Sequence, residues 1–264
     1  MPTLSRTLGT AIVTGAAGDI GLAIVQRLLD GGYRVCGWDH DRQGLAATAL
    51  RWKQERYLPV WIDLLDTAQI PLAASQSRAD ADPVTLLVNN AGGVSAGTSL
   101  RNTSEADLQH DLGLNLTAAW CCMQAFKGDL EAAGGGSIIN IASINGLGVY
   151  GFPGYSVAKA GLLQLTRFAA VELGKRGIRV NAVVPGTVQT KAWDPLIARD
   201  PDVLSNAAAI YPLRRVSQPQ DVAGAVAFLA GADARMVTGV ALAVDGGISA
   251  GIDTVAVQFC QDPF

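Results

Sequence analysis

The segment Thr10-Ala11-Ile12-Val13-Thr14-Gly15-Ala16-Ala17-Gly18-Asp19-Ile20-Gly21 decides the fold. A short apolar run enters a glycine-rich turn, and Ile20 to Leu29 then continues with apolar residues at helical spacing. A strand that turns on glycines straight into a helix opens a doubly wound sheet, and its helix start offers free N–H groups to an anion. The same alternation recurs outward from this segment. Further strands are predicted at Tyr33 to Trp38, Tyr57 to Ile62, Thr85 to Val88, Ser137 to Ile141, Arg179 to Val184 and Val240 to Val244. Helical stretches separate them at Leu45 to Glu55, Ala106 to Leu130, Val157 to Leu173 and Asp221 to Leu229. Nearly all-apolar strands alternating with helices imply an α/β fold: a doubly wound parallel sheet of about seven strands with helices on both faces. Its ligand site is expected beyond the carboxyl ends of the strands.

No repeat or low-complexity linker interrupts this pattern, so residues 1–264 are expected to form a single domain. The least regular stretch, at 187–212, carries Trp193, Pro195, Pro201 and Pro212, and reads as a substrate lid rather than a linker. Residues 248–264 form an apolar tail with Val255, Val257, Phe259 and Phe264.

Composition narrows the function. Hydrophobic residues make up 49% and charged residues 16%, well below the usual quarter, which excludes a disordered chain. The longest stretch without Asp, Glu, Lys or Arg is the 27 residues from Ala132 to Ala158. Gly134-Gly135-Gly136, Asn140, Asn145 and Pro153 interrupt it, so it does not read as a membrane span. Net charge is −3 without a Lys/Arg block, which argues against nucleic acid as a partner. No secretory leader is read at the N-terminus, and Cys36, Cys121, Cys122 and Cys260 form neither a Cys-x-x-Cys pair nor a zinc pattern. A reduced cytoplasmic protein without a metal is expected.

Asp39 ends the second strand about 20 residues after the glycine turn, where a carboxylate accepts hydrogen bonds from ribose hydroxyls and repels a 2′-phosphate. NAD is therefore favoured over NADP, with Arg42 the one residue that would contradict this. Asp63, after the third strand, is placed to meet an adenine edge, although Asp is also common in turns. Tyr155 and Lys159 lie four residues apart on one helix face. A phenol needs a neighbouring cation to ionise near neutral pH, so Lys159 is expected to lower the Tyr155 pKa and make it a general acid/base. Ser143 follows the fifth strand and is either a hydrogen-bond donor to the same substrate oxygen or a turn cap. Asn115, inside an apolar helical stretch, is either a helix distortion that hosts a water or a satisfied core amide.

Together these residues resemble the short-chain dehydrogenase/reductase family from Thr14 to Gly247. The resemblance rests on the Thr14-Gly15 to Gly21 turn, Asp63, Asn89-Asn90-Ala91-Gly92, Asn115, Ser143, Tyr155 with Lys159, and Pro185-Gly186. It implies a Rossmann-type fold, a homotetramer, and an NAD-dependent oxidoreductase interconverting a secondary alcohol and a ketone. Tyr155 would be the acid/base, Ser143 would orient the substrate oxygen, and Lys159 would also bind the nicotinamide ribose. Asn115 would hold a water in a proton relay. The cofactor would lie along Gly15, Gly18, Asp19, Ile20, Gly21, Asp39, Asp63, Leu64, Asn90, Ala91, Gly92, Pro185, Gly186, Val188 and Thr190, with Thr190 against the carboxamide. Two features depart from the family pattern. Asp19 occupies the slot of the second glycine in Thr-Gly-x-x-x-Gly-x-Gly, so its side chain is expected to turn away from the pyrophosphate, as a helix N-cap would. Ser143 also lies 12 residues before Tyr155, one fewer than in many members.

Gly154-Tyr155-Ser156-Val157-Ala158 approaches a hydrolase nucleophile elbow, but both histidines, His40 and His110, precede Ser156 and no catalytic His follows it. A non-catalytic dinucleotide sensor would have no use for Asn115, Ser143, Tyr155 and Lys159 together. Ser143, Asn145, Tyr150, Phe152 and Trp193, with Val94, Ser95 and Thr187, are the candidate substrate pocket. This mixture suits a small polyol or sugar, a hydroxy acid or an aryl alcohol; a 3-oxoacyl thioester is the alternative, with Lys191 in its favour.

Overall fold

The computed structural model describes residues 8–52, 56–78 and 82–260. Residues 1–7, Glu55 and Phe264, all read above, lie outside them. Seven strands, β1 (Thr10–Thr14), β2 (Arg34–Asp39), β3 (Tyr57–Trp61), β4 (Val84–Asn89), β5 (Gly136–Ile141), β6 (Ile178–Pro185) and β7 (Ala241–Val244), form one parallel sheet in the order β3-β2-β1-β4-β5-β6-β7. Alternate side chains along each strand enter opposite layers, as the two-residue strand period requires. Ile12, Leu87 and Ile138 pack with α3 (Ile70–Ser77), α5 (Ala118–Ala132) and α6 (Pro153–Gly174). Val13, Val88 and Ile139 pack with α1 (Asp19–Asp30) and α9 (Pro219–Ala230).

Strand order reverses between β1 and β4, which opens a crevice at their carboxyl ends. Polar groups bind the two strands there. Thr14 Oγ1 accepts from the N–H groups of Asn90 (3.0 Å) and Ala91 (2.9 Å), and Asn90 Nδ2 donates to the carbonyls of Thr14 (2.9 Å) and Gly15 (3.1 Å). The Asn89-Asn90-Ala91-Gly92 segment is thereby fixed to the glycine turn.

The strands fall where the apolar runs place them, but three helical expectations need correction. The stretch expected as one helix from Ala106 to Leu130 is α4 (Glu105–Leu112), a widened π turn (Gly113–Thr117) and α5. The expected irregular lid contains a 3-10 turn (Lys191–Trp193), α7 (Asp194–Ile197) and α8 (Val203–Ala209); a parallel bridge between Val188 and Ser217 closes its base. The helix expected from Leu45 is α2 (Arg42–Arg51), and the tail carries α10 (Asp253–Cys260). Among the described residues no helix is long and apolar enough to cross a membrane. The neutral stretch is β5, the Ser143 turn and the first residues of α6.

Gly21 shows why the opening turn tolerates so little change. A Cβ there would lie 2.0 Å from the Gly15 carbonyl and 2.9 Å from Ala16 Cα, both backbone atoms that cannot yield cheaply. Gly21→Ala is expected to cost about 3 kcal/mol of unfolding free energy in a urea titration. Gly128→Ala, on α5 where an added Cβ meets nothing within 4 Å, should instead gain about 0.5–1 kcal/mol.

Candidate active site

The glycine turn is shaped for an anion. Gly15 takes φ +64, a left-handed conformation open to glycine, and lets the chain double back onto Asn90 and Ala91. Gly18 is the N-cap of α1 and brings no capping side chain, so the N–H groups of Asp19 and Ile20 open the helix without one. The N-cap is therefore Gly18 and not Asp19, which corrects the expectation. Asp19 nevertheless turns away, because its carboxylate accepts the backbone N–H of Lys191 at 2.7 Å and so ties the turn to the lid.

Asp39 is 8% exposed at the end of β2. Its Oδ2 accepts from Ala17 N–H and its Oδ1 from Asp41 N–H, both at 2.9 Å, and His40 Nδ1 lies 3.3 Å from Oδ1. Arg42, the possible phosphate-binding cation, stacks over the Trp61 ring at 3.8 Å from its centroid. A ribose diol fits a carboxylate held this way, and the uncapped start of α1 fits a pyrophosphate. The site thus accommodates a dinucleotide. Of the other expected contacts, Asp63 Oδ1 accepts from Leu65 N–H at 3.0 Å as a turn cap, and the Leu64 side chain is buried in the core beside β3. Pro185 ends β6, Gly186 N–H donates to Val244 O at 3.2 Å, Val188 sits in the bridge at the lid base, and half-buried Thr190 begins the 3-10 turn.

Beyond β5 the four expected catalytic residues converge. Lys159 is 3% exposed, and its Nζ donates to Ile141 O at 2.8 Å. Burial pulls its ammonium down to about 7. A Cβ on Gly92 would lie 3.2 Å from that Nζ and 2.7 Å from Asn115 Oδ1, so Gly92 separates the two side chains. Asn115 lies in the π turn, where its Nδ2 donates to Gly93 O (2.9 Å) and Asp111 O (3.0 Å) and its Oδ1 accepts from Gly93 N–H (3.1 Å). The amide is therefore satisfied, as the core reading expects, and the helix is distorted around it.

Tyr155 stands one turn before Lys159, whose Nζ is 5.4 Å from the ring centroid. Its pKa moves opposite to expectation. Burial raises it, the adjacent Ser143 hydroxyl lowers it, and the Asp111 carboxylate raises it further. The physical reason is burial of the phenol itself, and the same burial draws down the Lys159 ammonium beside it.

The pocket residues divide. Ser143 Oγ accepts from Asn145 N–H at 3.2 Å, within a 3-10 turn at the end of β5. Asn145 is not free for substrate: its Nδ2 donates to Gly151 O (2.9 Å) and Ser156 Oγ (3.1 Å), and its Oδ1 faces Ser143 Oγ at 3.3 Å. It positions the serine instead. Phe152 holds a left-handed conformation (φ 55) before α6, with its N–H on Thr98 O at 3.2 Å. Tyr150 is exposed and Trp193 half-buried. Two residues were missed. Tyr211, 1% exposed, uses its hydroxyl to bind Thr187, donating to Oγ1 at 2.9 Å and accepting from N–H at 2.7 Å. Asp111, also 1% exposed, lies against the Tyr155 helix. Its place one helical turn before Asn115 was the available signal.

The family described as enoyl-(acyl carrier protein) reductase matches residues 15–249. A 3alpha-hydroxysteroid dehydrogenase of Mediterraneibacter gnavus is 38% identical, covering 89% of this chain and 95% of that protein. A cis-4-hydroxycyclohexanecarboxylate dehydrogenase of Sinomonas cyclohexanicum is 38% identical, covering 91% and 96%. A crystal structure of a short-chain dehydrogenase/reductase family oxidoreductase from Burkholderia thailandensis superposes with a TM-score of 0.92 at 39% identity, covering 98% of this chain and all of that one. On this fold, this site and these relatives, the chain belongs to the short-chain dehydrogenase/reductase family, oxidoreductases that interconvert alcohols and carbonyls with a nicotinamide dinucleotide.

Proposed function

We propose that the protein is an NAD(H)-dependent dehydrogenase of a secondary alcohol, working reversibly with the corresponding ketone. The observation that carries this reading is the convergence of Ser143, Tyr155 and buried Lys159 at the carboxyl end of β5, next to the crevice where Asp39 and the α1 turn fit a dinucleotide. When bound, the nicotinamide supplies or takes up the hydride. In the reducing direction Tyr155 gives its phenolic proton to the carbonyl oxygen while the Ser143 hydroxyl donates a hydrogen bond to the same oxygen. Lys159, poised near neutrality, returns a proton to the phenolate, and the Asn115 turn continues the path toward solvent through a water. Lys159 would also hold the nicotinamide ribose, with Thr190 against the carboxamide and Asn90, Ala91 and Gly92 along the cofactor.

Both named relatives act on a hydroxyl carried by an alicyclic ring, which supports a ring-borne secondary alcohol, including a ring hydroxy acid, as substrate. Polyols, aryl alcohols and 3-oxoacyl thioesters complete the screen that separates the alternatives. Residues 187–212 serve as the lid, with Asp19 as its latch on the cofactor turn. We further read the molecule as a single-domain homo-oligomer, a tetramer by its family. Exposed Trp120 on α5 and Phe168 and Val171 on α6 support an apolar face for a second copy.

Two measurements test the reading. Tyr155→Phe should lose turnover by about 100-fold or more while NADH affinity, followed by cofactor fluorescence, stays within about twofold; an active Phe variant would remove Tyr155 from the mechanism. Asp39→Ala should shift the NAD/NADP ratio of kcat/KM toward NADP by about tenfold or more, whereas an unchanged ratio would show that Asp39 does not select the cofactor.

A further inference from the structure

Asp111 is a buried carboxylate for which the proton transfer just described has no role. It lies in the last turn of α4, one helical turn before Asn115, so the two side chains share a face. Together they clamp one loop. Asn115 holds Gly93 by both backbone groups, and Asp111 accepts the Ser95 N–H on Oδ1 (2.9 Å) and the Ser95 hydroxyl on Oδ2 (3.0 Å). Its carbonyl also takes the Asn115 amide inside the π turn. On its far side the carboxylate presses on α6: a Cβ on Gly154 would lie 2.7 Å from Asp111 Oδ2 and 3.3 Å from its Cβ. Glycine immediately before Tyr155 is what admits the carboxylate. The charge therefore lies between the substrate-side loop and the first turn of the Tyr155 helix, with only neutral donors on its oxygens.

An anion without a cationic partner is costly inside a protein, and Ser95 could be held by a neutral amide just as well. The placement makes sense if the charge itself acts on the helix start, where it opposes the positive dipole end that would otherwise help the phenol to ionise. We propose that Asp111 is a positioning residue for Tyr155, whose fixed negative charge keeps the phenol in its proton-donating form and biases the site toward carbonyl reduction. This rests on Tyr155 being the acid/base. The raising effect of Asp111 on Tyr155 agrees with the geometry.

The other groups around the phenol leave this role open. Lys159 on α6 is the one cation identified near the ring, and it is itself depressed by burial. From α4, Glu105 and His110 are exposed and Asp107 caps its own helix through Ser104. The loop from Asn90 to Ser95 and the turn from Ile141 to Gly146 carry no titratable side chain, and Tyr150 is the one phenol between that turn and α6.

The test is Asp111→Asn in the full chain, because Asn can keep both bonds to Ser95, accepting its N–H and donating to its hydroxyl, while removing the charge. Phenolate absorbance after a rapid pH jump, with the corresponding Tyr155→Phe protein subtracted, reads Tyr155 alone and needs no substrate. The Tyr155 midpoint should fall by about one pH unit in Asp111→Asn and stay in place in Ser95→Ala, which loses the hydroxyl but not the charge. An unmoved or raised midpoint in Asp111→Asn, or an equal fall in Ser95→Ala, would overturn the proposal. Should Asp111→Asn not fold, Gly154→Ala displaces the carboxylate instead; a smaller fall supports the proposal and no fall overturns it. A shifted midpoint together with an active Tyr155→Phe protein would leave the charge effect standing and remove the acid/base role on which its catalytic meaning depends.

Discussion

A lysine ammonium with almost no access to water is the constraint around which the rest of this structure is arranged. Lys159 Nζ has the Ile141 carbonyl as its hydrogen-bond partner, and burial brings its titration to about 7. An ammonium desolvated to this degree survives only if the surrounding backbone is held rigidly enough to keep its acceptor in place. β5 supplies that acceptor from its last residue, and the sheet holds β5 from both sides through β4 and β6. Within the uncharged stretch from Ala132 to Ala158, buried β5 and the Ser143 turn give this site low-dielectric surroundings.

The cofactor crevice and the chemistry meet in one loop. Asn90 and Ala91 are bound to Thr14 and the glycine turn, Gly93 to Asn115, and Ser95 to Asp111. A single segment after β4 is therefore fixed first by the dinucleotide side and then by the helix that faces Tyr155. The segment after β6 is tied into the same arrangement. Its backbone at Lys191 is held by Asp19, and Tyr211 fixes the strand-to-lid junction at Thr187. The acidic residue that breaks the glycine pattern thus ties the turn to the segment after β6.

Strands were legible to within a residue or two, because a parallel strand buried on both faces is a short continuous apolar run bounded by turn residues. The glycine turn, Asp39 and the Tyr155–Lys159 pair were legible because spacing alone brings such groups together. The π turn was not, since its cause is the capture of Gly93 by the Asn115 amide, a contact 22 residues distant. Nor was the direction of the Tyr155 shift legible. Reading Lys159 as a free cation ignored its own burial, and Asp111 was passed over as one more polar residue in a helix. The Asn145 contacts were hidden for a related reason: the sequence shows an available amide, whereas the fold engages its Nδ2 with Gly151 and Ser156 and its Oδ1 with Ser143.

The central claim is that a desolvated, near-neutral Lys159 sits behind Tyr155 as its proton source, and the titration of that one side chain tests it most directly. The chain contains five lysines, Lys53, Lys127, Lys159, Lys175 and Lys191, so ε-labelled lysine gives an NMR spectrum that single substitutions can assign. The account predicts that the resonance lost in a Lys159 variant titrates at about 7. A Lys159 resonance that stays protonated up to the ordinary lysine range would contradict it.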